Sequence, residues 1–257
     1  MLKHKKKLFF IAVSVFLLAG CDSANVIQSS HTHFLDHYFI YPFSLLILFI
    51  GNTWLHQSVG FSIMLVTVGV RMLLAPLNIL QYKNQLSNKR IQPQLQQLKE
   101  KYKNKDPESQ QQYQRKMMEL LKENGANPLM GCLPLLVQLP VFSIMYYAIR
   151  RIDEISASSF LWLDLGHADP YFILPIAAAL ATYLQTRVMQ KDVAGMNGSH
   201  AVLSQILSPV MVLSFGLFSP SGLVLYWMTG SLFMIFQSLV LKKVFQEKAV
   251  LEAKWIN

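Results

Sequence analysis

Arg71 lies near the middle of the apolar run Gly60 to Leu80, within Gly69-Val70-Arg71-Met72-Leu73-Leu74-Ala75-Pro76-Leu77. A guanidinium at the centre of a bilayer-length segment costs about 2.5–3.5 kcal/mol on insertion scales. Arginine cannot lower that cost by shedding its proton. The ordinary compensation is a carboxylate on a neighbouring segment, yet none of the five long apolar runs of this chain contains Asp or Glu. The charge must therefore meet water or neutral polar side chains. Candidates recur at helical spacing: Thr67, Arg71 and Asn78 on one face of the first run, Gln138 in the second, Thr182 and Gln185 in the third, and Trp227, Ser231 and Gln237 near one stripe of the fifth. A hydrated pocket holding an unpaired cation is a waiting site for a transient anion. That chemistry is electrostatic capture, with no bond made or broken.

Plainer readings exist for each of these residues. Arg71 could snorkel, but snorkelling needs a position near a helix end. Gln138, Gln185 and Gln237 could serve only as interhelical hydrogen bonds, Trp227 as a packed aromatic, and the methionines, Met117, Met189 and Met234 among them, as gap fillers rather than an adaptable surface. Covalent or metal chemistry has less to stand on. His4, His31, His33, His37, His56, His167 and His200 all fall outside the apolar runs, and neither H-E-x-x-H nor G-x-S-x-G occurs. An intramembrane protease therefore lacks its parts. A transporter would normally show an inverted repeat, and none is evident. No cofactor and no metal site is expected, and Cys132, in an apolar run, reads as a small core hydrophobe.

The elements that position these residues follow from composition. The chain has 257 residues, 53% hydrophobic and 14% charged, with a net charge of +9, a combination best suited to a membrane solvent. The basic residues alternate with apolar runs instead of covering a polar domain, so DNA is not an expected partner. Residues 1–20 read as a signal peptide: Lys3, Lys5, Lys6 and Lys7, a short apolar run, then Leu18-Ala19-Gly20-Cys21. The last four residues resemble a lipobox, which makes Cys21 the lipidation site. Residues 21–58 then form an extracellular segment, in which Tyr38 to Leu55, broken by Pro42, Gly51 and Asn52, is expected as an interfacial amphipathic helix.

Windows of about 20 residues give five spans, roughly Gly60 to Leu80, Leu129 to Ile149, Tyr171 to Gln190, Val202 to Phe218 and Leu223 to Leu241. The first closes a unit at 59–80 and the other four make up 129–241. Between them, 81–128 is rich in Lys and Arg and so belongs in the cytoplasm, as does the short basic tail 242–257. The expectation is an all-α polytopic protein of the bacterial cytoplasmic membrane, five helices around a hydrophilic groove, N-terminus outside and C-terminus inside. Within 81–128, Ile91, Leu95, Leu98 and Tyr102 form a seam, Asp106-Pro107-Glu108 a helix start, and Tyr113, Met117 and Leu120 a second apolar face that stops at Gly125. This predicts a cytoplasmic helical hairpin, Pro93 to Asn104 and Pro107 to Asn124.

These residues resemble the YidC family of the wider Oxa/Alb group. The resemblance is carried by Arg71-Met72-Leu73-Leu74-Ala75-Pro76-Leu77, Ile91-Gln92-Pro93-Gln94-Leu95, Asn127-Pro128-Leu129-Met130-Gly131-Cys132-Leu133-Pro134 with Gln138-Leu139-Pro140, Phe160-Leu161-Trp162-Leu163-Asp164-Leu165, Asp169-Pro170-Tyr171 and Leu225-Tyr226-Trp227. It implies a non-enzymatic insertase and membrane chaperone. Its groove would be built around Arg71 and lined at Gln138, Gln185 and Trp227, acting on nascent membrane protein clients alone or beside the Sec translocon. The resemblance also implies ribosome-bound clients, although the tail after Leu241 is shorter and less basic than the tails with which some members contact ribosomes. The lipobox and the absence of a large domain before the five spans resemble the Gram-positive form.

Overall fold

The structure is a computed structural model and describes residues 36–54, 58–102, 106–127, 130, 133–191 and 199–256. The signal peptide and Cys21, together with His31, His33 and Cys132, lie outside these residues. A π-helical turn, Asp36–Ile40, leads into α1 (Tyr41–Trp54). The helices that follow are α2 (Val59–Leu73), α3 (Ala75–Lys101), α4 (Pro107–Glu123), α5 (Leu133–Arg151) and the short α6 (Asp153–Ser156). A two-stranded hairpin, β1 (Ser159–Phe160) and β2 (Leu163–Asp164), precedes α7 (Ile173–Lys191), α8 (Ser199–Gly216) and α9 (Ser221–Ile256).

The segment expected as one span from Gly60 to Leu80 is two helices, bent by 57° at Leu74. Pro76 accounts for the break: it has no N–H to give the carbonyl of Met72, and its ring would clash there. Proline is instead tolerated in the first turn of a new helix, where it sits at the start of α3. That helix then runs unbroken to Lys101, so the first arm of the hairpin begins far earlier than Pro93. Pro93 and Lys89 are both exposed, so the missing Pro93 N–H falls on an exposed face of the helix.

By length and composition, Ser221–Gln246 within α9 is long and apolar enough to cross a membrane, and α2 with α3 passes the same test as a bent pair; Ile173–Met189 and Gln205–Gly216 are shorter apolar helices. Large apolar side chains also cover the outer surface, and several small hydroxyl residues are buried between the helices. Phe61, Leu65, Leu180, Leu184, Val210, Phe215, Leu232 and Phe236 face outward, while Ser62, Thr67, Thr182, Thr229, Ser231 and Ser238 are buried. Small hydroxyl residues between helices permit close packing, and Thr67, Thr182 and Thr229 return their O–H groups to the carbonyl four residues earlier. On α1, Ser44 is buried while Leu45, Leu46 and Phe49 point out, so its outward face is apolar.

The main core lies at the end of the bundle that carries the β hairpin. Ile47, Ile63, Val66, Met145, Ile149, Ile155, Leu163, Leu165 and Leu223–Tyr226 form one buried cluster. The connection between α6 and α7 is tied down over it. Asp169, almost fully buried, accepts N–H bonds from Tyr171 and Leu174. Ser221 donates its N–H and O–H to the His167 carbonyl at 2.7 and 2.8 Å, and Gly222 N–H bonds the Leu165 carbonyl.

The opposite end extends into α3 and α4. Asp106 accepts the Ser109 N–H as the N-cap of α4, with Pro107 next to it. At its C-terminus Gly125 takes φ +65°, and the bonds Ala126 N–H to Leu121 O and Gly125 N–H to Lys122 O complete a Schellman stop. Ile91, Leu121 and Ala126 form a small core with Leu95 and Met117. Nearer the tip, the two arms part around a cavity of about 410 Å³ lined by Leu98 and Leu120 among polar side chains.

Candidate functional site

Ile63, Thr67 and Arg71 step by four along α2 and share the face turned toward α9. Ile63 belongs to the sealed core and Thr67 is buried with its hydroxyl on the Ile63 carbonyl at 2.6 Å. Thr67 therefore supports the helix and offers the site no free hydroxyl hydrogen. One turn later, Arg71 is half-buried. Its guanidinium lies over Gly230 of α9: a Cβ built on that glycine would stand 2.8 Å from Nη2, 3.2 Å from Nε and 3.4 Å from Cζ. No hydrogen bond or ion pair joins Arg71 to another described residue. The cation sits on a backbone surface at the edge of the apolar core.

Polar residues extend from it along α9. Toward the core, Tyr226 is buried within coulombic reach of Arg71, and its hydroxyl accepts the Gln138 amide at 2.5 Å. Gln138 is thereby committed to an interhelical bond between α5 and α9. Beside Gly230, Ser231 and Thr182 join α9 to α7 through their hydroxyls at 3.2 Å. In the other direction, Asn78 donates to Gln237 at 2.8 Å and to the Met234 sulfur at 3.5 Å. Because α2 ends at Leu73 and the chain bends at Leu74, Asn78 does not continue the Arg71 face of a straight helix. The bend delivers it to α9 separately, two turns beyond Arg71's contact.

Among the described residues Gln185, half-buried on α7, makes only a long contact from Nε2 to the Met189 sulfur at 3.9 Å. It leaves most of its amide valence for other partners. Trp227 is half-buried and stacks on Phe142 of α5 with centroids 5.3 Å apart and an interplanar angle of 29°. It forms part of a wall, next to Tyr226 but on a different side of α9. A small cavity of about 10 Å³ opens between Asn78, Gln81, Gln237 and Ser238, about the room a single water needs. Arg71, Asn78 and Gln138, from three different helices, thus each meet α9, the helix that carries Trp227, while Gln185 stands on α7 one turn beyond Thr182. Among the described residues, no cluster of three or more metal-ligating side chains occurs.

Two residues of the site were not singled out by spacing. Tyr226 entered only as a letter in an aromatic motif, and its position one turn before Gly230 was the available signal. Gly230 is a lone glycine in an apolar helix, which by itself points to close packing and not to the partner that fills the gap.

A family model described as 60Kd inner membrane protein matches residues 49–248. A Bacillus cereus protein named membrane protein insertase YidC 1 is 48% identical over 237 residues, covering 91% of each chain. Membrane protein insertase MisCA of Bacillus subtilis is 42% identical over 244 residues, 94% of this chain and 93% of its own. Among solved structures, a crystal structure of an active YidC insertase with its first transmembrane domain resolved is similar, with a TM-score of 0.63 and 29% identity. That match covers 79% of this chain and 46% of the other, so the matched part spans less than half of that chain. With its matched residues embracing α2 to α9 and the Arg71 site, the chain belongs to the 60Kd inner membrane protein family, the family of the YidC insertases.

Proposed function

We propose that the protein is a membrane protein insertase and membrane chaperone that receives nascent clients from the cytoplasm, alone or with the Sec translocon, and releases their hydrophobic segments sideways into lipid. It performs no covalent chemistry. Five membrane helices are assigned: α2 with the start of α3, then α5, α7, α8 and α9. At 18 and 19 residues, α8 and α5 would be about 27–29 Å long, close to the ~30 Å hydrocarbon core. In this orientation the β hairpin end lies outside, the α3–α4 hairpin projects into the cytoplasm, and α1 lies at the outer interface behind a lipid anchor on Cys21.

The observation that carries the reading is Arg71, half-buried against Gly230 and without an ion-pair partner among the described residues. An acidic group on the exported part of a client can be drawn to it without displacing a resident carboxylate. At ~4 Å and an effective dielectric near 20, the attraction is about 4 kcal/mol before the client's desolvation is subtracted. The remaining difference supports at least a tenfold effect, since each 1.4 kcal/mol is a factor of ten. Dense apolar packing around Ile63, Ile149, Leu165 and Leu223 supports a groove closed to the outside, which would prevent ion leakage. Burial of ~20 client residues in lipid supplies the driving force, so no nucleotide is consumed.

The test is reconstitution into vesicles with a short single-span client carrying an acidic exported tail. Arg71→Ala is expected to reduce insertion at least tenfold, and Arg71→Lys to retain part of it because the positive charge survives without the planar fork. Undiminished insertion by Arg71→Ala would overturn the role given to the charge.

A further inference from the structure

We infer that Gly230 is a positioning residue for Arg71: its missing side chain forms the notch in α9 that seats the guanidinium flat and aims it into the groove. The inference rests on the reading of Arg71 as the client-facing charge.

Tyr226, Gly230 and Met234 follow one another at intervals of four on the face of α9 turned toward α2 and α3. Tyr226 is buried and held by Gln138, and Met234 receives the Asn78 N–H. Between a large ring and a thioether, Gly230 is the one gap in that stripe, and three atoms of the guanidinium lie within 2.8 to 3.4 Å of where a Cβ would be. The 2.8 Å approach to Nη2 is closer than a real Cβ tolerates, so even alanine obliges one side to give way.

The helix has little freedom to do so. The next residue, Ser231, is bonded to Thr182 on α7, and the start of α9 is pinned through Ser221 and Gly222 to the backbone at His167 and Leu165. The long, flexible arginine side chain is what moves, and it moves off the notch. Glycine in a helix interior is intrinsically poorer than alanine, so helix formation alone does not account for it here. Removing the notch should thus disturb Arg71 without weakening the helix.

The experiment uses the full-length protein in proteoliposomes, with Gly230→Ala and Gly230→Val each made in the Arg71 and the Arg71→Lys backgrounds. Arg71 reactivity toward the arginine reagent phenylglyoxal is followed by peptide mass spectrometry. Insertion is measured for single-span clients with acidic or neutral exported tails, and thermal unfolding in detergent checks the fold. Gly230→Val is expected to speed Arg71 modification at least about twofold and to cut acidic-client insertion roughly tenfold in the Arg71 background, within the coupling range of residues in contact. The neutral-tailed client should fall less. In the Arg71→Lys background the further loss should stay under about twofold, because an ammonium needs no flat seat.

Unchanged Arg71 reactivity, or equal losses in both backgrounds, would overturn the inference. Should the valine variant fail to fold, the alanine variant decides by the same criteria. If Arg71→Ala itself inserts normally, the role of the charge fails, while the phenylglyoxal measurement still judges whether Gly230 seats the side chain.

Discussion

Asp36 and Arg151 make the ion pair that ties the turn before α1 to the end of α5, and replacing Asp36 by Asn tests how that part of the fold is held. Arg151 Nη1 lies 3.0 and 3.3 Å from the two carboxylate oxygens, and the side chains are only 10% and 11% exposed. Removing one charge of a buried pair costs about 3–5 kcal/mol because the other is left uncompensated. Two details adjust this. Among the described residues Arg151 Nε is buried with no hydrogen-bond partner, so loss of the carboxylate charge adds to a guanidinium that already has one unmatched donor. The Tyr147 ring, 4.3 Å beneath it, survives the substitution and retains about 1–2 kcal/mol of cation–π attraction. The expected loss is therefore about 2–4 kcal/mol. Unfolding by sodium dodecyl sulfate in mixed micelles, followed by far-UV circular dichroism, would measure it. The double variant Asp36→Asn, Arg151→Met should recover most of the loss, because the stranded charge is then gone as well. A single-variant cost below ~1 kcal/mol, or a double variant as unstable as the sum of its parts, would refute the reasoning.

Three further outcomes follow from local geometry. Gly60→Ala places a Cβ into the Phe160 ring, which packs edge-on against Phe61, and should cost about 1–3 kcal/mol by overpacking, read as a lower unfolding midpoint. Gly125→Ala puts a Cβ on the left-handed residue that ends α4 and should cost about 1 kcal/mol; faster proteolysis at the α4 end would report it, and unchanged cleavage would count against the Schellman stop. At the exposed surface of α4, the hydrogen bond and charge of Glu119 hold the Lys116 ammonium above its ordinary pKa of 10.5. A raised folded pKa means that any stabilisation is complete below the unfolded value and is lost as pH climbs through the folded one. Glu119→Gln should therefore lower the Lys116 pKa in an NMR titration, and a pKa that stays raised would show that the pair is not its cause. At neutral pH the unfolding midpoint should barely move, since such exposed pairs are screened.

Where the determining physics is local, this chain could be read directly. Asp106-Pro107 and Gly125 mark the ends of α4 because an N-cap and a left-handed stop involve only neighbouring residues. Of the expected seam Ile91, Leu95, Leu98 and Tyr102 and the face Tyr113, Met117 and Leu120, the small core takes Ile91, Leu95 and Met117, while Leu98 and Leu120 line the opening between the arms. Arg71 announced itself because a permanent charge in an apolar run is costly wherever it lies, and no span supplied an acid to offset it. The five-span count, the lipid anchor and the orientation remain readings of hydropathy and charge.

Tertiary structure decided what depends on a second segment. Pro76 signalled a break, but whether it kinks a span or begins a new helix is set by packing, and the 57° bend at Leu74 is what separates Asn78 from the Arg71 face. Gln138 could have faced the groove, but the Tyr226 hydroxyl 88 positions away claimed it. Gly230 shows the limit most clearly. A residue without a side chain leaves no pattern of its own, and its meaning lies in the guanidinium that another helix lays upon it.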